Sequence, residues 1–369
     1  MTSLSADRVL ALRMASLLLD ESSAGTPADI VRWFGAMQAQ DLASGQWSFG
    51  VRLPGSTVED IEQATRDRHI VRTWPMRGTV HFVPPEDAKW MLDLTGVRAL
   101  QGVEARRQLL GLTEADVNRA ANVLASALCG GKQLTRAQCV EHLVRDGVHT
   151  APGHSYHLLW YASQIGVTCI GPQLGNEQTF VLLNEWVPKP RLVTRDEGLA
   201  TLALRYFQSH GPTTRQDFAG WTGLTAGDAK RGIEAAGDAL TSVDVEGIPH
   251  IVIPSQLDAS SKVLAEKRTR QVLLLPGFDE YMLGFKDRSL MVSDQFKQRI
   301  VPGNNGVFMP TVVLDGRVIG TWKREIKRKG VELRALPFDP LTKKQRSSFI
   351  DAGNRYSAYL QLEPSYPDL

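Results

Sequence analysis

Cysteine is scarce in this chain of 369 residues: Cys129, Cys139 and Cys169 are the only three, too widely spaced for a disulfide framework or a metal-ligand pattern. A disulfide-stapled secreted scaffold is not indicated, and a reducing cytoplasm is the expected location. Cys139, in a helix-like stretch, reads as a small core residue. Long apolar runs are missing as well. Windows such as residues 271–276 fall far short of the roughly 20 residues that a bilayer demands. The start Met1-Thr2-Ser3-Leu4 lacks a basic segment followed by an apolar one, so neither a secretory signal nor a membrane partner is expected. No P-loop, dinucleotide fingerprint or Gly-x-Ser-x-Gly elbow occurs. His149, His154 and His157 cluster loosely, but no cysteine or carboxylate completes a metal site; no metal and no cofactor are expected.

What is present is an ordinary globular composition, 43% hydrophobic and 22% charged. The length fits about two to four small domains. Net charge is only +2, yet residues 286–346 carry fourteen Lys or Arg against six acids, an excess of eight that leaves the remainder at −6. A basic C-terminal face of this kind suits a polyanion, although a merely solvated face has the same composition.

Three times the chain spells helix, turn, further helix and β-hairpin. The clearest copy starts at a helix over 114–128 with apolar residues at helical spacing, closed by Gly130-Gly131. A second helix follows with Thr135 as N-cap, then a third over 154–165 and strands at 168–171 and 179–183. Another copy has helices over 197–209 and 213–221, with Thr214 as cap, then 226–236 and strands near 240–245 and 250–253. A less regular copy has helices over 5–19, 27–36 and 58–67 and strands at 70–75 and 79–83. This is the pattern of a winged helix, which commonly places a helix in a DNA groove, though some copies can serve as scaffold alone. Beyond residue 272 the pattern changes to strands with tight turns. Asp315-Gly316 tolerates the positive φ angles of a type I′ hairpin, a second ribbon turns at Arg328-Lys329-Gly330, and residues 338–360 close with a helix. The expected fold is α+β: three tandem winged helices (1–100, 101–190 and 191–265) followed by a C-terminal β-barrel (266–369).

One short run stands out. Gln38-Ala39-Gln40 places two carboxamides on one side of an extended segment. A glutamine cannot act as a general base at neutral pH, but it can hold a water and present a partial negative charge. The run precedes Thr73-Trp74-Pro75-Met76-Arg77-Gly78-Thr79-Val80-His81, then Leu274-Leu275-Pro276-Gly277-Phe278-Asp279-Glu280-Tyr281, then Gly306-Val307-Phe308-Met309-Pro310-Thr311. Each block is weak alone. In this order they resemble the winged-helix DNA glycosylases related to the azinomycin-resistance glycosylase of Streptomyces, over nearly the whole chain.

The resemblance implies three winged helices and a barrel, and hydrolysis of the N-glycosidic bond of N7-alkylated guanine, including unhooking of interstrand cross-links. One branch of that family carries Gln-x-Gln at the catalytic position and another Gln-x-Asp; Gln38 and Gln40 group this chain with the first. Asp41 follows, but an extended segment turns it away from both. Alkylation at N7 makes the purine a cation that leaves as a neutral base, so placing water and stabilising an oxocarbenium-like sugar are the tasks left to the protein. No lysine lies in the run, which suggests a monofunctional enzyme with water as nucleophile. The expected partner is double-stranded DNA carrying alkylated purines, bound by a monomer. Candidate DNA contacts are Arg77, His81, Arg215, Lys230, Arg231, Lys323, Arg324, Lys327 and Arg328. His81 equally fits a structural strand histidine, and Arg77 an internal ion pair. Asp279-Glu280 is a tempting acidic pair, but adjacent strand residues face opposite sides, which favours a structural role. The competing readings are a non-catalytic winged-helix regulator and a protein-interaction scaffold.

Overall fold

The computed structural model describes residues 2–20, 25–257 and 271–367. The expected domain boundary at 265/266 lies outside the described residues. Fourteen strands are labelled in chain order: β1 (Thr2–Ser3), β2 (Met37–Gln38), β3 (Val71–Met76), β4 (Thr79–Val83), β5 (Leu134–Thr135), β6 (Thr168–Leu174), β7 (Glu177–Leu182), β8 (Thr241–Val245), β9 (Ile248–Val252), β10 (Val272–Leu275), β11 (Thr311–Leu314), β12 (Arg317–Ile326), β13 (Gly330–Pro337) and β14 (Glu363–Ser365). The chain divides into two compact units, one made of residues 35–40 and 62–198, the other of 1–34, 41–61 and 199–369.

In the first of these, six strands form one sheet in the order β2-β4-β3-β6-β7-β5. Two hairpins expected in separate domains therefore share a sheet, joined where Arg72 of β3 pairs with Ile170 of β6. The helices beside it begin and end where local chemistry dictates. Thr113 and Gln138 belong to reciprocal capping boxes at Glu114–Leu128 and Arg136–Arg145, the second with Thr135 as N-cap. Gly130 and Gly131 both have positive φ, and their N–H groups converge on the Glu185 carboxylate at 3.1 and 2.6 Å. Those two bonds hold the Glu185 carboxyl below the ordinary range. Cys139 and Cys169 are buried, and burial pushes the Cys139 thiol up to about 12, whereas Cys129 is exposed.

The second unit holds two sheets. In the smaller, β1 runs parallel to β8, which pairs with β9. Leu4, Val9, Leu12, Val243, Val245 and Val252 form its core. The larger has the order β10-β11-β12-β13-β14 and is an open half-barrel, where a small β-barrel or curled sheet was expected. Its outer edge at β10 is occupied by side chains instead of a strand. Val272 N–H donates to Ser348 Oγ, Val272 C=O accepts from Arg355, and Leu274 C=O accepts from Trp47 Nε1. The helix Lys343–Leu360 supplies the first two, burying Phe349, Ala352, Tyr356 and Tyr359 along one stripe. Trp47 and Trp322 pack edge-on to Tyr356, at 4.8 and 5.2 Å between ring centroids.

Trp47 belongs to a helix, Leu42–Gly50, whose run of small and aromatic residues carries no amphipathic signal because it is buried from Ser44 to Gly50. Two residues beyond it, the fully buried Arg52 makes two bonds to Asp279, of 2.8 and 2.9 Å, while Ser48 Oγ donates to the same carboxylate. Glu280 accepts from Trp221 Nε1 at 2.8 Å and lies 3.4 Å from His210 Nε2. The acidic pair singled out in the sequence is thus a structural one. Among the described residues no helix is long and apolar enough to cross a membrane.

Arg52→Ala would leave Asp279 a buried charge without its guanidinium, and removing one partner of such a pair costs about 3–5 kcal/mol. A urea denaturation series should show that loss, with a neutral Asp279→Asn added to Arg52→Ala recovering part of it.

Candidate active site

The Gln38-Ala39-Gln40 run lies at the edge of the six-stranded sheet. Met37 and Gln38 pair with Phe82 and His81 of β4, and those two pair in turn with Arg72 and Thr73 of β3. Direct cross-strand partners share a face. Gln38, His81 and Thr73 therefore form one row across three strands, and Met37, Phe82 and Arg72 form the neighbouring row on the opposite face. Between Thr73 and Met76 the β3–β4 register slips, so that Trp74 and Pro75 together oppose Val80. Pro75 has no N–H to give the ladder, and a bulge is where a strand tolerates it. The hairpin then reverses through Arg77-Gly78, both at positive φ as a type I′ turn requires.

The hydrogen bonds around the run break the usual pattern. Ala39 N–H donates to Val80 C=O at 2.8 Å. A regular antiparallel pair would return a bond from Val80 N–H to Ala39 C=O. Instead Val80 N–H donates to Gln40 Oε1 at 3.0 Å, and Ala39 C=O accepts from Arg72 Nη2 at 3.3 Å. Gln38 Oε1 accepts from the main-chain N–H of Gln40, also at 3.0 Å. Main-chain N–H groups only donate, so both amides are oriented with their oxygens toward them. Gln38 is 7% exposed and Gln40 is open to solvent. The next residue, Asp41, is the N-cap of Leu42–Gly50, with its carboxylate accepting from Ser44 N–H at 2.8 Å.

His81 is wholly buried. Its Nδ1 lies 2.9 Å from Thr79 C=O and its Nε2 3.2 Å from Arg77 Nη2. A carbonyl accepts and a guanidinium donates, which places the ring proton on Nδ1 and a lone pair on Nε2. Burial takes His81 away from direct contact with a polyanion and gives it the task of holding Arg77. Arg77 itself is half-buried.

The other basic candidates lie elsewhere in the fold. Arg215, Lys230 and Arg231 are exposed on the helices Arg215–Thr222 and Ala226–Ala236, Lys230 within 3.5 Å of Glu234. Lys323, Lys327 and Arg328 are exposed on the β12–β13 ribbon. Lys327 is tied to Glu332 at 2.6 Å, and Arg324 is half-buried with its guanidinium 2.6 Å from the Tyr356 hydroxyl. Among the described residues no cluster of three or more His, Cys, Asp or Glu could hold a metal ion.

Of three β3 residues at this site, Arg72 escaped the sequence reading, while Thr73 and Trp74 stood in the quoted motif block without a role of their own. Thr73 Oγ1 and Trp74 Nε1 are buried without a hydrogen-bond partner among the described residues. Arg72 is 5% exposed and its Nε is likewise unpartnered there. The available signal was an arginine inside the apolar stretch Ile70-Val71-Arg72-Thr73-Trp74, where a strand buried on both faces is read from its neighbours.

Comparison with known proteins bears on this geometry. The sequence model of the family described as DNA glycosylase AlkZ-like matches residues 31–359. An interstrand DNA cross-link repair glycosylase of Streptomyces sahachiroi is 28% identical over 331 residues, 86% of this chain and 87% of that protein. The solved structure of the Streptomyces sahachiroi DNA glycosylase AlkZ superposes with a TM-score of 0.80 at 25% identity, covering 99% of this chain and all of the other.

Because main-chain N–H groups depend on these amides, truncation has a measurable cost. Gln38→Ala removes a buried acceptor and should destabilise the protein by about 1–3 kcal/mol, whereas Gln40→Ala, at an exposed position where water replaces the amide, should cost under about 1 kcal/mol. Paired chemical-denaturation curves check the order; equal losses would contradict it.

Proposed function

The chain belongs to the AlkZ-like DNA glycosylase family, and on that premise we propose that it hydrolyses the N-glycosidic bond of N7-alkylated guanine in duplex DNA, unhooking interstrand cross-links or removing bulky monoadducts. The observation that carries this reading is the Gln38-Ala39-Gln40 run with both amide oxygens fixed by main-chain N–H groups. An amide oxygen has two lone pairs, and each N–H occupies one. The amide oxygen of Gln40, at the solvent-open end of the run, is the proposed acceptor for a water beneath the anomeric carbon, with Gln38 holding the Gln40 main chain in place.

Alkylation at N7 supplies the driving force. The C1′–N9 bond breaks with its electron pair going to the purine, which departs as a neutral alkylguanine. The water oxygen bonds to C1′ of the oxocarbenium-like sugar and its proton passes to solvent. Pre-oriented amide dipoles stabilise the developing charge without reorganising, and holding the water in line removes several kcal/mol of barrier. Neither step calls for a cofactor or a lysine nucleophile, so the activity proposed is monofunctional.

DNA engagement is proposed through the helix-rich segments and the basic ribbon. The runs of three helices and a hairpin over 114–182 and 195–252 are read as winged helices, and residues 1–100 as a third. Arg77, Arg215, Lys230, Arg231, Lys323, Arg324, Lys327 and Arg328 are the proposed phosphate contacts, their number implying binding that weakens steeply with salt. The proposed enzyme works as a monomer on chromosomal DNA in the cytoplasm.

A duplex carrying one N7-methylguanine tests the reading. Wild-type protein should release the methylated base and leave an alkali-labile abasic site, and Gln38→Ala and Gln40→Ala should each slow a single turnover on the order of 100-fold. Uracil in the same duplex should stay in place, and borohydride should trap no covalent adduct. Salt-sensitive binding with no base released would support a regulator instead.

A further inference from the structure

A buried cation with no counter-charge among the described residues sits beside the Gln-x-Gln run. Arg72 is 5% exposed, in the middle of a sheet, where β3 meets β6. Among the described residues no carboxylate faces it. Its contacts are one hydrogen bond to Ala39 C=O and the Phe82 ring 5.7 Å away. Burial lowers its pKa to about 10, which leaves it charged at neutral pH. Such a group destabilises a fold unless something else is gained by it.

The gain is visible in the hydrogen-bond pattern. Ala39 C=O and Val80 N–H are natural partners in the β2–β4 ladder. Arg72, approaching on the face opposite Gln38, donates to that carbonyl at 3.3 Å, and although a carbonyl oxygen can accept twice, the Val80 N–H does not return to it. The Val80 N–H is then left for Gln40 Oε1, which it holds at 3.0 Å. We propose that Arg72 is a positioning residue for the candidate active site: by withdrawing the Ala39 carbonyl from the ladder, it reserves the Val80 N–H for Gln40 and so fixes the direction of that amide. The inference rests on the Gln-x-Gln run being catalytic, but its geometric core does not. The charge itself offers nothing favourable to a cationic sugar, so its contribution is through geometry.

R72M keeps an unbranched side chain, shorter than arginine's, and removes the donor. Replacing an uncompensated buried cation with an apolar side chain of similar size should leave the melting temperature unchanged or raised. Affinity for duplex DNA should stay within about twofold, since Arg72 is not exposed. The single-turnover release of N7-methylguanine should fall about 10- to 100-fold, the scale expected when a group acting on the reacting centre is misplaced. R72K, which can still donate to the carbonyl, should recover part of the rate. If Arg72 acts through Gln40, the R72M/Q40A double variant should be no slower than Q40A alone.

A rate for R72M equal to wild type, or losses that multiply in the double variant, would overturn the proposal. So would a lowered melting temperature in both R72M and R72L, which would make the role structural. A crystal structure of R72M separates this inference from the proposed activity. Val80 N–H should return to Ala39 C=O and Gln40 should swing free; if Gln40 Oε1 stays on Val80 N–H, Arg72 does not position it, whatever the enzyme acts on. Wild-type protein that releases no base would sink the functional reading alone.

Discussion

The arrangement at this site depends on one antiparallel pairing, Met37 and Gln38 against Phe82 and His81. Without it Gln38 and Gln40 would be two amides on a loop between helices, free to rotate. The pairing brings Ala39 beside Val80, and the exchange of acceptors there converts a main-chain ladder into a side-chain support. Gln40 Oε1 then answers to a peptide N–H of β4, that of Val80, and Gln38 Oε1 to the N–H of Gln40 just beyond the end of β2. Rigid placement of a weak polar group is worth more than its intrinsic basicity, because reorganisation is avoided when charge develops. The proline bulge in β3 and the Arg77-Gly78 turn serve the same end by bending the hairpin just beyond the row of Thr73, His81 and Gln38.

The acid nearest to the motif in sequence, and those of the later Asp279-Glu280 block, have other duties. Asp41 caps a helix, Asp279 neutralises Arg52, and Glu280 receives the Trp221 indole. In each case a hydrogen-bonded partner accounts for the carboxylate completely enough that a catalytic role would need the partner removed. Buried polar groups that are satisfied hold a fold to one arrangement; among the buried side-chain atoms left without a partner in the described residues, Arg72 Nε, Thr73 Oγ1 and Trp74 Nε1 follow one another on β3, and others lie on different elements.

What was legible in the sequence was local. Asp315-Gly316 makes the type I′ turn its residues demand, Thr135 and Thr214 cap the helices they precede, and Glu114–Leu128 follows its apolar spacing to the residue. What was hidden depends on contacts far apart in the chain. The helix Leu42–Gly50 is buried over most of its length, so it shows no periodicity. The fusion of two hairpins into one sheet rests on the Arg72–Ile170 pairing, and the open half-barrel on side chains of a terminal helix reaching Val272. Gln38 and Gln40 could be selected by residue type and motif, whereas Arg72 could not, because burial without a counter-ion leaves no mark in composition.

An amide pair and a buried arginine fit each other for an electrostatic reason. A carboxylate at position 40 would accept the Val80 N–H more strongly, but it would also feel the Arg72 cation across a poorly solvated strand, which lowers its pKa and its value as a base. Aspartate is shorter by one methylene as well, so it could not span the same gap to Val80 without moving the strand. Glutamine avoids both problems: it reaches, it accepts, and its neutral amide does not titrate. A site built this way has little power to force a poor leaving group out, and its reach is confined to bonds that the substrate has already weakened. On the proposed function, selectivity for alkylated purines then follows from the modesty of the catalytic groups together with the positive charge that the lesion itself carries.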